Sequence, residues 1–329
     1  MASLVTQFVL LAAVVVIAGI VLARSADKIA ELTGLGRSLV GLVLLALATS
    51  LPEFTVAWNS VKIGAIDLTI GDVLGSSLMN LLILSILDLT SRQRGRMLSK
   101  MAAAHALSAT TSILLTGIIL LSLLVDVQWS LWRFGPGTLA VVCAYIFSLR
   151  LVYFDQQFAL QEESTGEDDG RGRWQPAAAV FTGGALAILI AGPKLAHTAD
   201  ELAAMTGLGR TFFGTVFVAV ITSLPEAVTT LEALRLGARD MAVGNVFGSN
   251  SFNMIIPAFG DLASGQPILQ LASNVHAITA AAVIVVTAVA LMGLLYRAEK
   301  RYWFIEPDAA LTALLIFGAL ALVYYNRPE

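Results

Sequence analysis

Long apolar runs separated by short polar connections dominate this chain, and ten of them are long enough to cross about 30 Å of hydrocarbon as helices. The pattern predicts spans over 4–23, 38–61, 66–88, 101–125, 130–152, 175–196, 211–234, 240–262, 272–296 and 306–325. The connections hold most of the charge, and two of them stand out. One is the basic stretch from Arg92 to Lys100, the other the acidic stretch from Asp155 to Arg173. The acidic stretch (Glu162, Glu163, Glu167, Asp168, Asp169) lacks the alternating ligand spacing of a calcium loop and reads as a solvated linker. The expected organisation is a first five-helix half over 1–152, a cytoplasmic linker over 153–174 and a second five-helix half over 175–329.

The halves repeat each other. ADKIAELTGLGRSLVGLVLLALATSLPE (Ala26 to Glu53) returns as ADELAAMTGLGRTFFGTVFVAVITSLPE (Ala199 to Glu226), and GDVLGSSLMN (Gly71 to Asn80) as GNVFGSNSFN (Gly244 to Asn253). The offset is 173 throughout, with 24 identities over the 55 positions from 26 to 80. A repeat of this length fixes the architecture before any other feature does.

Composition agrees with a membrane protein: 57% of residues are hydrophobic, 13% are charged and mean hydropathy is +0.81. The net charge of −3 is too small to suggest a nucleic-acid partner, and the single Cys143 excludes an intramolecular disulfide. The apolar run from Phe8 to Ala23 resembles a secretion signal, but no Lys or Arg precedes it, and Arg24 and Lys28 follow; it reads as a first transmembrane helix. With the N-terminus outside, the inner loops hold 15 basic residues and the outer side 5, so the positive-inside rule selects that orientation. Five spans separate the repeat copies, which therefore enter the membrane in opposite directions. Inverted repeats of this kind characterise secondary transporters with a site near the midplane.

Glu53 and Glu226 are the candidate chemistry. Each lies about midway along an apolar span, where a charge costs roughly 2.5–3.5 kcal/mol. Each follows a proline, Pro52 or Pro225, that removes a backbone hydrogen bond and opens the helix. Carbonyls freed near Ala46 and Ala219 can then face an ion, and Thr49, Ser50, Thr222 and Ser223 add hydroxyl oxygens. Oxygen-only ligands suit hard cations such as Ca2+ and Na+. The plainer reading, a kink with a satisfied carboxyl, is weakened by there being two matched copies.

Asp72, Ser76 and Asn80, spaced i, i+4, i+8, form a polar stripe on the third span; Asn245, Ser249 and Asn253 form its match on the eighth. Gly71, Gly75, Gly244 and Gly248 suit close helix packing. For Ser77 and Asn250, interhelical hydrogen bonding is the alternative to a ligand role.

TSLPE followed by GDVLGSS..N, then TSLPE followed by GNVFGSN..N, resembles the paired alpha-repeats of the calcium/cation antiporter superfamily, most of all its prokaryotic sodium/calcium exchanger branch. The resemblance implies an all-α integral membrane protein of ten transmembrane helices in two inverted five-helix repeats. Helices 2, 3, 7 and 8 would form the core, with helices 1 and 6 sliding across it. It implies cation ligands at Ala46, Thr49, Ser50, Glu53, Ser76, Asn80, Ala219, Thr222, Ser223, Glu226, Ser249 and Asn253. It implies no enzyme and no cofactor, with Ca2+ and Na+ as transported ions, the lipid bilayer as surroundings and no obligate protein partner. The expected location is the cell's inner (plasma) membrane.

Two departures bear on this expectation. Asn253 stands where some relatives carry an acid, which argues against potassium coupling. Asp72 stands where the family usually has Asn, as its own counterpart Asn245 does; it reads as an outer-vestibule charge or an accessory ligand, with Asn245 expected at the equivalent depth near the cytoplasmic mouth. With Asn80 and Asn253 neutral, Glu53 and Glu226 give the site a charge of −2, which one Ca2+, two Na+ or two protons would cancel. An empty −2 site is costly to carry through a low-dielectric barrier, so access should switch only when the site is loaded. The expected function is therefore Na+/Ca2+ exchange by alternating access. A Ca2+/H+ exchanger of the same superfamily and a cation channel are the alternatives. The unrepeated His105, His197 and His276 show no nucleophile–base pairing, so a membrane enzyme is disfavoured.

Overall fold

The computed structural model describes residues 2–90, 102–125, 129–163, 173–205, 220–295 and 307–325. The first nine residues of the seventh span (Ala219 among them), the Arg92–Lys100 stretch and most of the acidic linker lie outside the described residues. The described secondary structure is helical apart from one isolated bridge between Leu131 and Phe134. In order it comprises α1 (Ala2–Thr33), α2 (Arg37–Leu39), a π-helical segment (Val40–Leu45), α3 (Ala46–Thr49), α4 (Leu51–Lys62), α5 (Ile66–Thr90), α6 (Ala102–Leu124) and α7 (Pro136–Glu163). The second half gives α8 (Gln175–Met205), α9 (Leu224–Arg235), α10 (Arg239–Asn253), α11 (Ile256–Ser264), α12 (Ile268–Leu271), α13 (His276–Leu295) and α14 (Pro307–Tyr325). Among the described residues, six helices are long and apolar enough to cross a bilayer, or seven if the bent pair 37–49 and 51–62 counts as one span.

Several boundaries differ from the hydropathy reading. α1 continues past Arg24 to Thr33, because its last turns carry an inward stripe of small residues that packing retains. It stops at Gly34, whose φ of +68° an L side chain resists and whose N–H caps Ala30 O at 3.1 Å. α7 begins at Pro136, not at 130, since proline suits a first helical turn and the residues ahead of it form a tight turn. The span predicted over 240–262 is broken at Met254–Ile255, after which Pro257 starts α11. Equivalent turns repeat closely. Gly64 and Gly237, 173 positions apart, have φ of +79° and +74°. Each donates its N–H to the carbonyl three residues back, Val61 or Leu234, at 3.0 Å.

The described residues fall into two compact units: Met1–Val56 with Ser164–Ser249, and Ala57–Glu163 with Asn250–Glu329. Each unit draws on both sequence halves. In the first, Ala18, Leu22, Ala26 and Ala30, a stripe of period four along α1, pack with Val40, Leu45, Ala48, Ile188, Ala233 and Met241. The outer faces of the same unit leave Leu10, Ile17, Leu186 and Ile190 exposed, as suits side chains that meet lipid rather than water. In the second unit, α13 packs on α6, α5 and α14, and α6 packs on α7.

Candidate functional site

Both TSLPE copies break their helix at the serine. Ser50 has φ −85°, ψ 8° and Ser223 has φ −80°, ψ 9°, so residues 173 apart adopt the same non-helical geometry. A new helix starts at the next leucine with its proline in the first turn, where the absent N–H costs nothing. In the first copy the two pieces meet at 43°. Pro52 leaves the carbonyl of Ala48, four residues back, without its helical donor. Ala46 O, by contrast, accepts the Ser50 N–H at 3.0 Å and the Thr49 hydroxyl at 3.2 Å. Glu53 and Glu226, each in the first turn of the new helix, are completely buried. The N-terminal end of a helix favours negative charge, which partly offsets that burial.

The first unit brings together much of the predicted set. The Ser50 hydroxyl donates to Glu226 Oε1 at 3.4 Å, joining the break of one repeat to the carboxylate of the other. Thr49 Oγ1 lies 3.2 Å from Ser249 Oγ and 3.4 Å from Asn245 Oδ1. Thr49 has one hydroxyl proton for Ala46 O, Asn245 and Ser249, so some of these contacts are served by the Ser249 hydroxyl or alternate in time. Thr222 and Ser223 are also buried, and Ser223 Oγ has no hydrogen-bond partner among the described residues.

Asn245 is fully buried, not at an open mouth as its alignment with Asp72 suggests. Its amide nitrogen donates to Thr229 Oγ1 at 3.0 Å and Thr230 Oγ1 at 3.1 Å, tying α10 to α9. The glycines of α10 explain how closely it approaches the first repeat. A Cβ on Gly244 would come within 2.6 Å of Ser38 O, and one on Gly248 would fall on Leu42 O. Gly41 of the π segment likewise faces the Met241 backbone. The wide π turn and these glycines bring Thr49 and Ser249 within hydrogen-bond reach.

The second unit holds the remaining predicted ligands: Ser76 and Asn80 on α5, and Asn253 at the end of α10, all buried. Asn80 Nδ2 donates to Asn250 Oδ1 at 3.1 Å, and Asn250 Nδ2 donates to Ser77 O at 3.2 Å. Asn250 thus serves interhelical bonding, while the Ser77 hydroxyl returns to Val73 O of its own helix. Because its nitrogen is held, Asn80 presents its carbonyl oxygen in a fixed direction, and that Oδ1 has no hydrogen-bond partner among the described residues. Ser76 Oγ and both amide atoms of Asn253 are likewise buried without one. Buried polar atoms are rarely left so, and oxygens in this condition suit a cation cargo. Of the packing glycines on α5, a Cβ on Gly71 would come 3.3 Å from the His276 ring, whereas one on Gly75 would meet nothing within 4 Å among the described residues.

Sequence reading missed the π segment, which has no propensity signature. It also missed Thr229 and Thr230, whose polarity in the second repeat against Val56 and Ala57 in the first was the available signal. Among the described residues no group of three or more His, Cys, Asp or Glu side chains gathers as a conventional metal centre.

Comparison with known proteins agrees with this geometry. The family described as sodium/calcium exchanger protein matches residues 3–154 and 176–326, on both sides of the linker. The chain is 29% identical to the inner membrane protein YrbG of Escherichia coli over 265 residues, 75% of this chain and 78% of that protein. It is 41% identical over 70 residues to the sodium/calcium exchanger MaX1 of Methanosarcina acetivorans, 21% of this chain and 20% of that one. A solved structure of the sodium-calcium exchanger NCX_Mj shares the fold with a TM-score of 0.68 at 19% identity, covering 98% of this chain and 99% of that one. With the match running through both copies of the broken-helix motif, the chain is a multi-pass membrane protein of the sodium/calcium exchanger family, within the calcium/cation antiporter superfamily.

Proposed function

We propose that this cation antiporter exchanges Na+ for Ca2+ by alternating access in a cell inner membrane, with ten transmembrane helices and the N-terminus outside. The observation that carries the reading is the matched break at Ser50 and Ser223, each followed by a fully buried glutamate. Two carboxylates among hydroxyl and carbonyl oxygens form a hard-cation donor set of charge −2, balanced by one Ca2+ or by Na+. Ala46, Thr49, Ser50, Glu53, Ser76, Asn80, Ala219, Thr222, Ser223, Glu226, Ser249 and Asn253 are the proposed cation ligands. A buried −2 site is too costly to switch empty, so loading by one ion or the other licenses each turn. No cofactor and no protein partner enter this scheme, and no side chain is assigned a catalytic role.

Glu53→Gln and Glu226→Gln test the assignment in reconstituted vesicles. Each variant is expected to fold, to keep its elution profile in detergent, and to lose Na+-dependent Ca2+ flux. Wild-type flux from either well-folded variant refutes the carboxylate assignment. Full flux driven by a proton gradient, with no effect of Na+, gives the site to Ca2+/H+ exchange instead.

A further inference from the structure

Within the matched polar stripes of α5 and α10 the repeat is unequal at one position. Asn245 of α10 spends its amide on Thr229 and Thr230 and receives Thr49 on its carbonyl side. Its counterpart, 173 positions earlier, is Asp72 on α5, and the counterparts of the two threonines are Val56 and Ala57. The hydroxyls that hold the amide in one repeat are therefore missing from the other, and the side chain there carries a charge instead. Asp72 Oδ2 is buried and has no hydrogen-bond partner among the described residues. One turn on, Ser76 Oγ is in the same condition, and two turns on so is Asn80 Oδ1. On α10 the matching stripe is largely closed, because Asn245 is fully bonded and Ser249 is in reach of Thr49.

A buried carboxylate oxygen without a donor is costly, and a hydrogen-bonded amide would be the cheaper residue here unless the charge is used. The row carries one negative charge, a hydroxyl and an amide carbonyl, and no nitrogen or sulfur donor faces it from its own stripe. A single charge with neutral oxygens balances a hard monovalent ion better than a divalent one. Successive members of the row are four residues, about 6 Å, apart along α5. Asp72 and Ser76 therefore share an ion only through side chains that reach towards each other, and aspartate and serine are short enough to place one ion between them.

We propose that Asp72 and Ser76 form an additional Na+ site on α5, which the second repeat lacks. The proposal rests on the exchange reading only for its use in transport; the binding itself does not. A site of this kind gives the first repeat one more cation than the symmetric pair of glutamates requires.

Equilibrium binding of radiolabelled Na+ to the purified full chain counts sites without any transport. The expected result is one fewer Na+ per chain in Asp72→Asn and in Asp72→Ala, with the count retained in Asp72→Glu. Glu226→Gln serves as comparator, since it should remove ions held by the glutamate pair while sparing the Asp72 site. The zero-flux point of vesicles clamped at known Na+, Ca2+ and potential then gives the Na+:Ca2+ ratio, which should fall by one in Asp72→Asn. An unchanged Na+ count in both neutral variants, each checked for a wild-type elution profile, overturns the proposal. If Na+ fails to drive Ca2+ flux in the wild type while the binding difference persists, the exchange reading falls and the site stands.

Discussion

Replacing Gly248 with alanine adds a single carbon where neighbouring backbone leaves no room for one. The new Cβ would fall on Leu42 O, 2.8 Å from the Leu42 carbonyl carbon and 2.7 Å from Ala46 Cβ. Carbon atoms sit comfortably at about 3.5–4.0 Å, so α10 would have to retreat from the π segment by about 1 Å. The obstacle is backbone, which cannot rotate away as a flexible side chain can. Overpacking of this kind costs about 1–3 kcal/mol, and the better helix propensity of alanine returns about 1 kcal/mol. Net stability therefore falls by no more than about 2 kcal/mol. Function should suffer more, because Ser249 is the next residue and its 3.2 Å contact with Thr49 cannot survive such a retreat. Losing one hydrogen bond and one ligand position should weaken apparent Ca2+ affinity by about tenfold or more, at about 1.4 kcal/mol per tenfold. The control is Gly183→Ala on α8, an exposed position where a Cβ meets nothing within 4 Å. Vesicle Ca2+ uptake against concentration, with thermal unfolding in detergent, measures both effects. Wild-type half-saturation in Gly248→Ala would refute the claim that this close approach positions the Thr49–Ser249 contact.

Three further substitutions follow from the same geometry. Asp261→Ala strands the Gly135 N–H (3.1 Å), the Ile268 N–H (2.7 Å) and the Thr138 hydroxyl (2.5 Å), so thermal unfolding should show a loss of about 3 kcal/mol or more. Asn250→Ala frees the Asn80 amide to rotate, and should raise the half-saturating cation concentration while Ca2+ transport persists at high concentration. Arg24→Ala removes a 2.8 Å ion pair with Glu232, but Arg24 is 65% exposed, so its loss should change unfolding by about 1 kcal/mol or less.

How far the sequence foretold this arrangement depends on the kind of signal each part leaves. The helix breaks were legible because Pro52 and Pro225 act through local chemistry that any helix obeys. The burial of Glu53 and Glu226 was legible because an apolar run that enters the membrane carries its carboxylate inward with it. α1 was read too short: apolarity ends near Arg24, but the inward stripe continues through Ala26 and Ala30. The break at Met254–Ile255 and the π turn over Val40–Leu45 depend on tertiary packing and carry no local code. Asn250 and Asn80 look equally fit as ligands in sequence; only their mutual hydrogen bond separates the holder from the held. Asn245 misled for the opposite reason, since its alignment with a charged residue suggested a mouth, while Thr229 and Thr230 give it a buried structural role.

Uptake of radiolabelled Ca2+ into vesicles containing the purified chain tests the central claim most directly, with Na+ inside, with a proton gradient alone, and with neither. Wild-type protein should accumulate Ca2+ only against internal Na+, faster with the inside positive if the Na+ proposed at Asp72 is carried as a third, and Glu53→Gln and Glu226→Gln should accumulate none. Uptake that proceeds without any counter-ion, or that survives loss of either glutamate, would contradict an exchanger built on two matched broken helices.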